Sequence, residues 1–211
     1  MRIRRLRRSE LPVATVAVAR FLIGKIVVHD LPAGRVSGRI VEAEAYPPGD
    51  PAGHHYRGPT PRIRSMYLAP GHAYVFFNYG AHFMLNVSAE PAGIAGGILI
   101  RAVEPIDGIP LMEEHRGTTR LLDLTRGPGR VAAAFQIDRS HDGVDLCAPA
   151  ALWLGVFVGP SAISGCPIGK TVRIGISRGV ERPLRFYERG NLFVSGPKRL
   201  LGAQAPTRTL A

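Results

Sequence analysis

The chain has 211 residues, 45% of them hydrophobic, which is enough for one substantial core and a single domain. Lys and Arg number 27 against 16 Asp and Glu, a formal charge of +11 that points to a polyanionic partner, with nucleic acid ahead of a membrane surface because no amphipathic basic helix is evident. Two cysteines, Cys147 and Cys166, make neither a disulfide framework nor a zinc-ligand cluster and fit a reducing, cytoplasmic setting.

Nearly all of the positive charge is Arg, which can contact phosphate in a bidentate manner; the only lysines are Lys25, Lys170 and Lys198. Arg2, Arg4, Arg5, Arg7 and Arg8 make residues 1–10 a basic arm, followed by an apolar run over 11–24. Together they imitate a secretory signal. Arg20 interrupts the run, no small-x-small cleavage site follows, and the run is too short to span a bilayer. Pro12 and Gly24 instead bracket a helix over 12–23. Strands are expected over 25–29 and 36–46, joined through Leu31-Pro32-Ala33-Gly34. Residues 47–61 form a long Pro- and Gly-rich loop of the kind that is more often functional than filler. A short helical piece over 62–68 precedes a hairpin of strands 72–78 and 82–88, turning at Tyr79-Gly80-Ala81, and then a strand over 97–103. Helices are expected over 108–115 and 131–137 with a polar loop between them, then strands over 151–158, 171–176 and 184–189. The main domain would run over 11–195, with a loosely ordered tail over 196–211. Strands and helices that do not alternate regularly indicate an α+β domain, a curved and largely antiparallel sheet with packed helices.

Two stretches carry chemical information. In Ile40-Val41-Glu42-Ala43-Glu44-Ala45-Tyr46, strand alternation puts Val41, Ala43 and Ala45 on one face and Glu42, Glu44 and Tyr46 on the other. The two carboxylates would stand roughly 6–7 Å apart. A solvated strand face would tolerate such a pair, and so would a catalytic site. In the hairpin, Tyr79 sits at the turn beside Gly80: it either folds back onto the sheet or protrudes as a wedge that fills the gap left in a DNA stack. Phe76 and Tyr46 are candidate stacking faces for an extruded base, although Phe76 alone reads as core.

The run 40–46, His55-Tyr56-Arg57-Gly58, Pro70-Gly71 before Tyr74-Val75, Tyr79-Gly80, Asn86, Arg101-Ala102-Val103-Glu104-Pro105 and Gly127-Pro128 occur in an order that resembles the alkyladenine (3-methyladenine, or methylpurine) DNA glycosylases. The likeness continues through Arg173-Ile174-Gly175-Ile176 to residues 182–190 and covers the chain from about Leu11 to Gly190. The resemblance implies that Glu44, not Glu42, is the general base that activates water. It also implies that Tyr46, His55 and Phe76 enclose a flipped base, that Tyr79 intercalates, and that Arg101 and the backbone of Ile174 hold the attacking water. Asn86 and Leu99 match positions beside the pocket that affect which purines fit, and Arg130 and Arg139 match basic positions near the DNA backbone. Phe76 stands where Tyr is common, and Ala81 stands where some members carry a bulky second wedge.

The implied reaction is hydrolysis of an N-glycosidic bond in double-stranded DNA containing damaged purines. A carboxylate at the sugar can activate water and oppose an oxocarbenium-like charge. A cationic alkylated purine leaves without a strong general acid. None of the three lysines falls in the pocket-like segments, so no Schiff-base lyase step, metal or organic cofactor is expected, and the enzyme should act as a monomer. His54, His55, His72 and His82 fit no common metal-ligand spacing. Gly127-Pro128-Gly129-Arg130 reads either as an ordinary helix start or, with Arg130 alongside, as a phosphate contact through Gly127 and Gly129. The rival function is a non-catalytic basic RNA- or ribosome-binding module, which explains charge and aromatics but not Glu44.

Overall fold

The computed structural model describes residues 2–78, 80–158 and 167–201. Its centre is β3, Gly34–Tyr46, thirteen residues rich in β-branched and small side chains and long enough to pair with three partners. Along one edge its first half pairs with β2, Ile26–Leu31, across the two-residue Pro32-Ala33 turn. The second half of that edge takes the short strand β9, Arg185–Glu188. The other edge pairs with β6, Gly97–Asp107. The hairpin β4, Ala73–Asn78, and β5, His82–Ser88, extends the sheet beyond β6. On the far side of β2 lie β7, Leu152–Val158, and β1, Arg2–Arg5, while β8, Ile168–Thr171, pairs with β9. The order β1-β7-β2-β3-β6-β5-β4, antiparallel at each described pairing, makes this an α+β domain.

Period-2 alternation sorts these strands into two faces. Ala43 and Ala45 of β3, Ile98 and Ile100 of β6, Leu85 and Val87 of β5 and Ala73 and Val75 of β4 enter the main core. Helices cover that face: α1, Thr15–Leu22, through Val18, Ala19 and Leu22; α2, Ile109–Arg116, through Met112; α3, Leu121–Thr125, through Leu124; and α4, Pro128–Ala134, through Val131, Ala132 and Ala134. The residues between them, Tyr74 and Phe76, Met84 and Asn86, Leu99 and Arg101, Glu44 and Tyr46, face the opposite side. That second face is where the site forms.

The structure departs from the sequence-based expectations at identifiable places. Val41 does not join Ala43 and Ala45: register shifts at Ile40–Glu42 and Glu42–Ala43 interrupt the alternation, and Val41 packs with Ala102, Tyr187, Phe193 and Val194 in a separate cluster. The basic arm is a strand. Arg2–Arg5 pair with β7, Leu6 is fully buried, Arg4 pairs with Glu10 and Arg8 with Asp145, so these charges are built into the sheet edge farthest from β4. The polar loop after α2 contains α3. The strand expected over 171–176 occupies Ile168–Thr171 instead, and the chain leaves the sheet before Ile174. Cys166 and Tyr79 lie outside the described residues, as does the tail beyond residue 201. No described helix is long and apolar enough to cross a membrane.

Candidate active site

Strand register aligns one row of side chains across four strands: Tyr74 is opposite Asn86, Asn86 opposite Leu99, and Leu99 opposite Glu44. At about 4.8 Å per strand the row is roughly 14 Å long. Above it lies a cleft of about 460 Å³. Tyr46, Leu99, Arg101, Asn86, Tyr74, Phe76 and Met84 form its floor and sides, Pro51, Ala52 and His54 one rim, and residues 174–178 the other.

Glu44 lies under that floor, fully buried, with three donors around it. Its Oε1 accepts the Ile174 N–H at 2.8 Å, and its Oε2 accepts the Tyr46 hydroxyl at 2.9 Å and Arg101 Nη1 at 3.3 Å. Arg101 Nη1 also lies 3.4 Å from the Ile174 carbonyl oxygen. Both Arg101 contacts are longer than a direct charge-assisted bond of roughly 2.7–2.9 Å. Tyr46, Arg101 and Ile174 are therefore the groups through which Glu44 communicates with the cleft.

The electrostatics follow from burial and charge. Burial, and then the Glu44 carboxylate, push the Tyr46 phenol far up, so it keeps its proton and donates. Burial would lower the Arg101 guanidinium, but Glu44 and Glu42 more than offset it and hold the group cationic. Glu42 is also fully buried but differently engaged. Its Oε1 accepts Arg185 Nε at 2.5 Å and lies 3.3 Å from Arg101 Nε, and its Oε2 accepts the Ser195 N–H at 2.7 Å. Two guanidinium groups thus face two carboxylates, which relieves the repulsion between neighbours on one strand face.

Why Ile174 reaches Glu44 is also local. Gly175, at φ +76°, takes a left-handed turn that a side chain disfavours, and Arg173 anchors the segment. Arg173 donates to the Ala45 carbonyl and to Asp50, each at 3.0 Å, and its guanidinium lies 4.6 Å over the Tyr46 ring. Asp50 takes Arg182 as well, at 2.9 Å. This clamp joins the loop after β3 to the loop before β9. The sequence reading did not single out Asp50, Arg182, Arg185 or Ser195. A lone acid in a Pro- and Gly-rich loop was the available signal for Asp50.

His55 is not among the residues lining the cleft; His54 is. The His55 ring donates Nε2–H to the Pro47 carbonyl at 2.9 Å and leaves Nδ1 buried without a partner among the described residues. It lies where a side chain on Gly53 would be, 2.5 Å from a Cβ built there. Phe76 serves both readings, packing with Ile63, Met66, Tyr74 and Ala95 while lining the cleft. Asn86 donates to the Tyr74 carbonyl at 3.2 Å.

Beside the cleft, Arg130 pairs with Asp123 at 2.7 Å and Arg139 donates to the Val75 carbonyl at 2.8 Å, and both remain substantially exposed. Gly127 has a backbone reason of its own and Gly129 a packing reason. Gly127 precedes α4 at φ +140°, and a Cβ on Gly129 would come within 2.9 Å of the His82 side chain. Among the described residues no group of three or more His, Cys, Asp or Glu side chains is placed to hold a metal ion.

The sequence is similar to those of known proteins. The sequence model described as Methylpurine-DNA glycosylase (MPG) matches residues 9–192. A protein of Mesorhizobium japonicum is 59% identical over 193 residues, covering 92% of this chain and 91% of its own length. One of Paraburkholderia phytofirmans is 54% identical, covering 92% and 89%, and one of Rubrobacter xylanophilus is 42% identical, covering 86% and 92%. All three carry the name "Putative 3-methyladenine DNA glycosylase". With a family match over most of its length and a cleft built on the residues that carried the resemblance, this chain belongs to the methylpurine-DNA glycosylase family.

Proposed function

We propose that this protein is a monofunctional DNA glycosylase of base-excision repair that hydrolyses the N-glycosidic bond of alkylated or damaged purines flipped out of duplex DNA. The observation that carries the reading is the buried Glu44 carboxylate, held by Ile174, Tyr46 and Arg101 beneath an aromatic-walled cleft on a protein of charge +11.

The extruded purine enters the cleft with Tyr46 and Phe76 as its aromatic walls and Asn86 and Leu99 beneath it. A water bonded to Glu44, Arg101 and the Ile174 carbonyl stands at the sugar. Glu44 takes a proton from that water, the water oxygen bonds to C1′, and the C1′–N bond breaks with its electron pair leaving on the purine. A purine alkylated at a ring nitrogen is already cationic and departs neutral, so the reaction needs no further acid. The negative charge of Glu44 opposes the positive charge that develops on the sugar. Tyr79, which follows β4 in the sequence, is the proposed wedge, and Arg130 and Arg139 are proposed to meet DNA phosphates. The backbone N–H groups at Gly127 and Gly129, alongside Arg130, are proposed to share in that phosphate contact. The protein acts as a cytoplasmic monomer.

Incubation with methylated duplex DNA tests this. A free methylated purine and an intact abasic site are expected, without an adduct trapped by borohydride and without inhibition by EDTA. Binding to DNA with no base released would instead favour a non-catalytic nucleic-acid module, and a trapped adduct would assign the nucleophile to a lysine.

A further inference from the structure

Arg173 does more than anchor the loop that carries Ile174. Its guanidinium is fully buried, does not line the cleft, and lies 4.6 Å over the Tyr46 ring. It therefore covers the face of that ring turned away from the cleft, and the other face is the one left to a ligand. An aromatic ring attracts a cation through its π electrons, and a cation already seated on one face weakens that attraction at the other. The Asp50 carboxylate, also fully buried, meets this guanidinium through both oxygens, each at 3.0 Å. Arg182 reaches the same carboxylate at 2.9 Å from a half-exposed position. Behind Tyr46 there is thus a compensated ion pair in place of a lone positive charge.

The glycosylase reading, on which this inference rests, stacks the extruded base on Tyr46. With the two planes roughly 3.5 Å apart, the base lies about 8 Å from the Arg173 guanidinium, and the ring, not water, stands between them. Little screens a charge across that path. A purine alkylated at a ring nitrogen is cationic and hypoxanthine is neutral, so the charge behind the wall tells the two classes apart. We infer that Asp50 and Arg173 are specificity-determining residues that act through Tyr46 without touching the base. The guanidinium disfavours a cationic purine, and the Asp50 carboxylate offsets it and keeps the pocket open to such bases. The other charges about the site, Glu42, Glu44, Arg101, Arg178 and Arg185, are common to every variant below and do not alter the comparison.

Equilibrium binding tests this with duplexes in which a 2′-fluorinated sugar keeps 7-methylguanine or hypoxanthine attached. The ratio of the two dissociation constants cancels the backbone contacts that both duplexes share. Asp50→Asn should weaken binding of 7-methylguanine relative to hypoxanthine about fivefold, and Arg173→Gln should shift the ratio the opposite way by about tenfold. Opposite signs set an electrostatic role apart from a structural one, because a disturbed wall would affect both variants alike. Arg182→Gln removes a half-exposed charge from the same carboxylate and should move the ratio in the Arg173→Gln direction, but less. That variant keeps the test decisive if a buried substitution prevents folding. A ratio unchanged in the folded variants, or shifted in one direction by both Asp50→Asn and Arg173→Gln, overturns this role and leaves the glycosylase reading intact. A wild type that releases neither base from the unfluorinated duplexes overturns that reading and this inference with it.

Discussion

Glu42 and Glu44 are two residues apart on one strand face, equally buried, and distinguished by their partners. Arg185 and the Ser195 N–H hold Glu42 from the β9 side and beyond, whereas Ile174, Tyr46 and Arg101 connect Glu44 to the cleft. Glu42 is thus a structural counter-charge. Replacing it by Gln leaves Arg185 buried without its full counter-charge and should cost about 3 kcal/mol of stability. Urea unfolding measures that loss, and an unchanged midpoint would remove the structural assignment. At this scale strand alternation made the carboxylate pair legible. Their partners were not legible, because the pairing sequence separations, 130 residues from Glu44 to Ile174 and 143 from Glu42 to Arg185, leave no local trace. His54 and His55 show the same limit: adjacent and identical side chains are told apart only by backbone direction in a 3-10 turn, His54–Arg57.

Among elements, α1 illustrates how one long-range contact completes a local one. Its N-terminus has no cap from its own sequence; the Glu90 carboxylate accepts both the Thr15 N–H at 2.8 Å and the Thr15 hydroxyl at 2.6 Å. A carboxylate there satisfies an otherwise orphaned donor and complements the helix dipole. Glu90→Ala should therefore destabilise the fold by about 1–2 kcal/mol. Hydrogen exchange should show the first turn of α1 opening more readily, and protection equal to the wild type would contradict the cap. The strands of the hairpin and β3 were legible from period-2 alternation and the Gly and Pro residues that bound them. The segment after β8 was not. Its apolar residues suggest a strand, yet the Arg173 clamp and the turn at Gly175 lift it out of the sheet to bring Ile174 to Glu44.

For the whole molecule, net charge indicated the class of partner but not the face that meets it. In the N-terminal basic arm, Arg4 and Arg8 are engaged by Glu10 and Asp145 at the edge of the sheet opposite the hairpin. Arg130 and Arg139 remain beside the cleft. Affinity for lesion DNA should therefore fall steeply with salt, and removing either of those charges should flatten the log–log slope by about one unit. Arg4→Gln should leave the slope unchanged; equal flattening by all three would place DNA along the N-terminal edge as well. Stability should carry a separate pH signature from His29, which is buried, with Nδ1 2.7 Å from the Phe135 carbonyl oxygen. Burial lowers its folded-state pKa below the ordinary value of 6.5 despite that bond. The unfolded chain then takes up the proton first as pH falls. The stability contribution is complete above about 6.5 and is lost as pH drops from there toward the folded-state value. Urea unfolding at pH 7.5 and 5.5 should show this loss, and His29→Gln should reduce it; a loss unaffected by that change would assign it elsewhere.

What no local pattern could show is the row from Tyr74 to Glu44, since it exists only once four strands adopt their register. The claim that this row ends in the catalytic carboxylate is tested most directly by comparing Glu44→Gln with Glu42→Gln and the wild type in single-turnover excision of a methylated purine, with DNA binding measured in parallel. Glu44→Gln should lose roughly 10²–10⁴-fold in excision while binding lesion DNA about as well as the wild type, and folded Glu42→Gln should retain most of its excision. A Glu44→Gln variant that excises near the wild-type rate, or a loss confined to Glu42→Gln, would contradict the account.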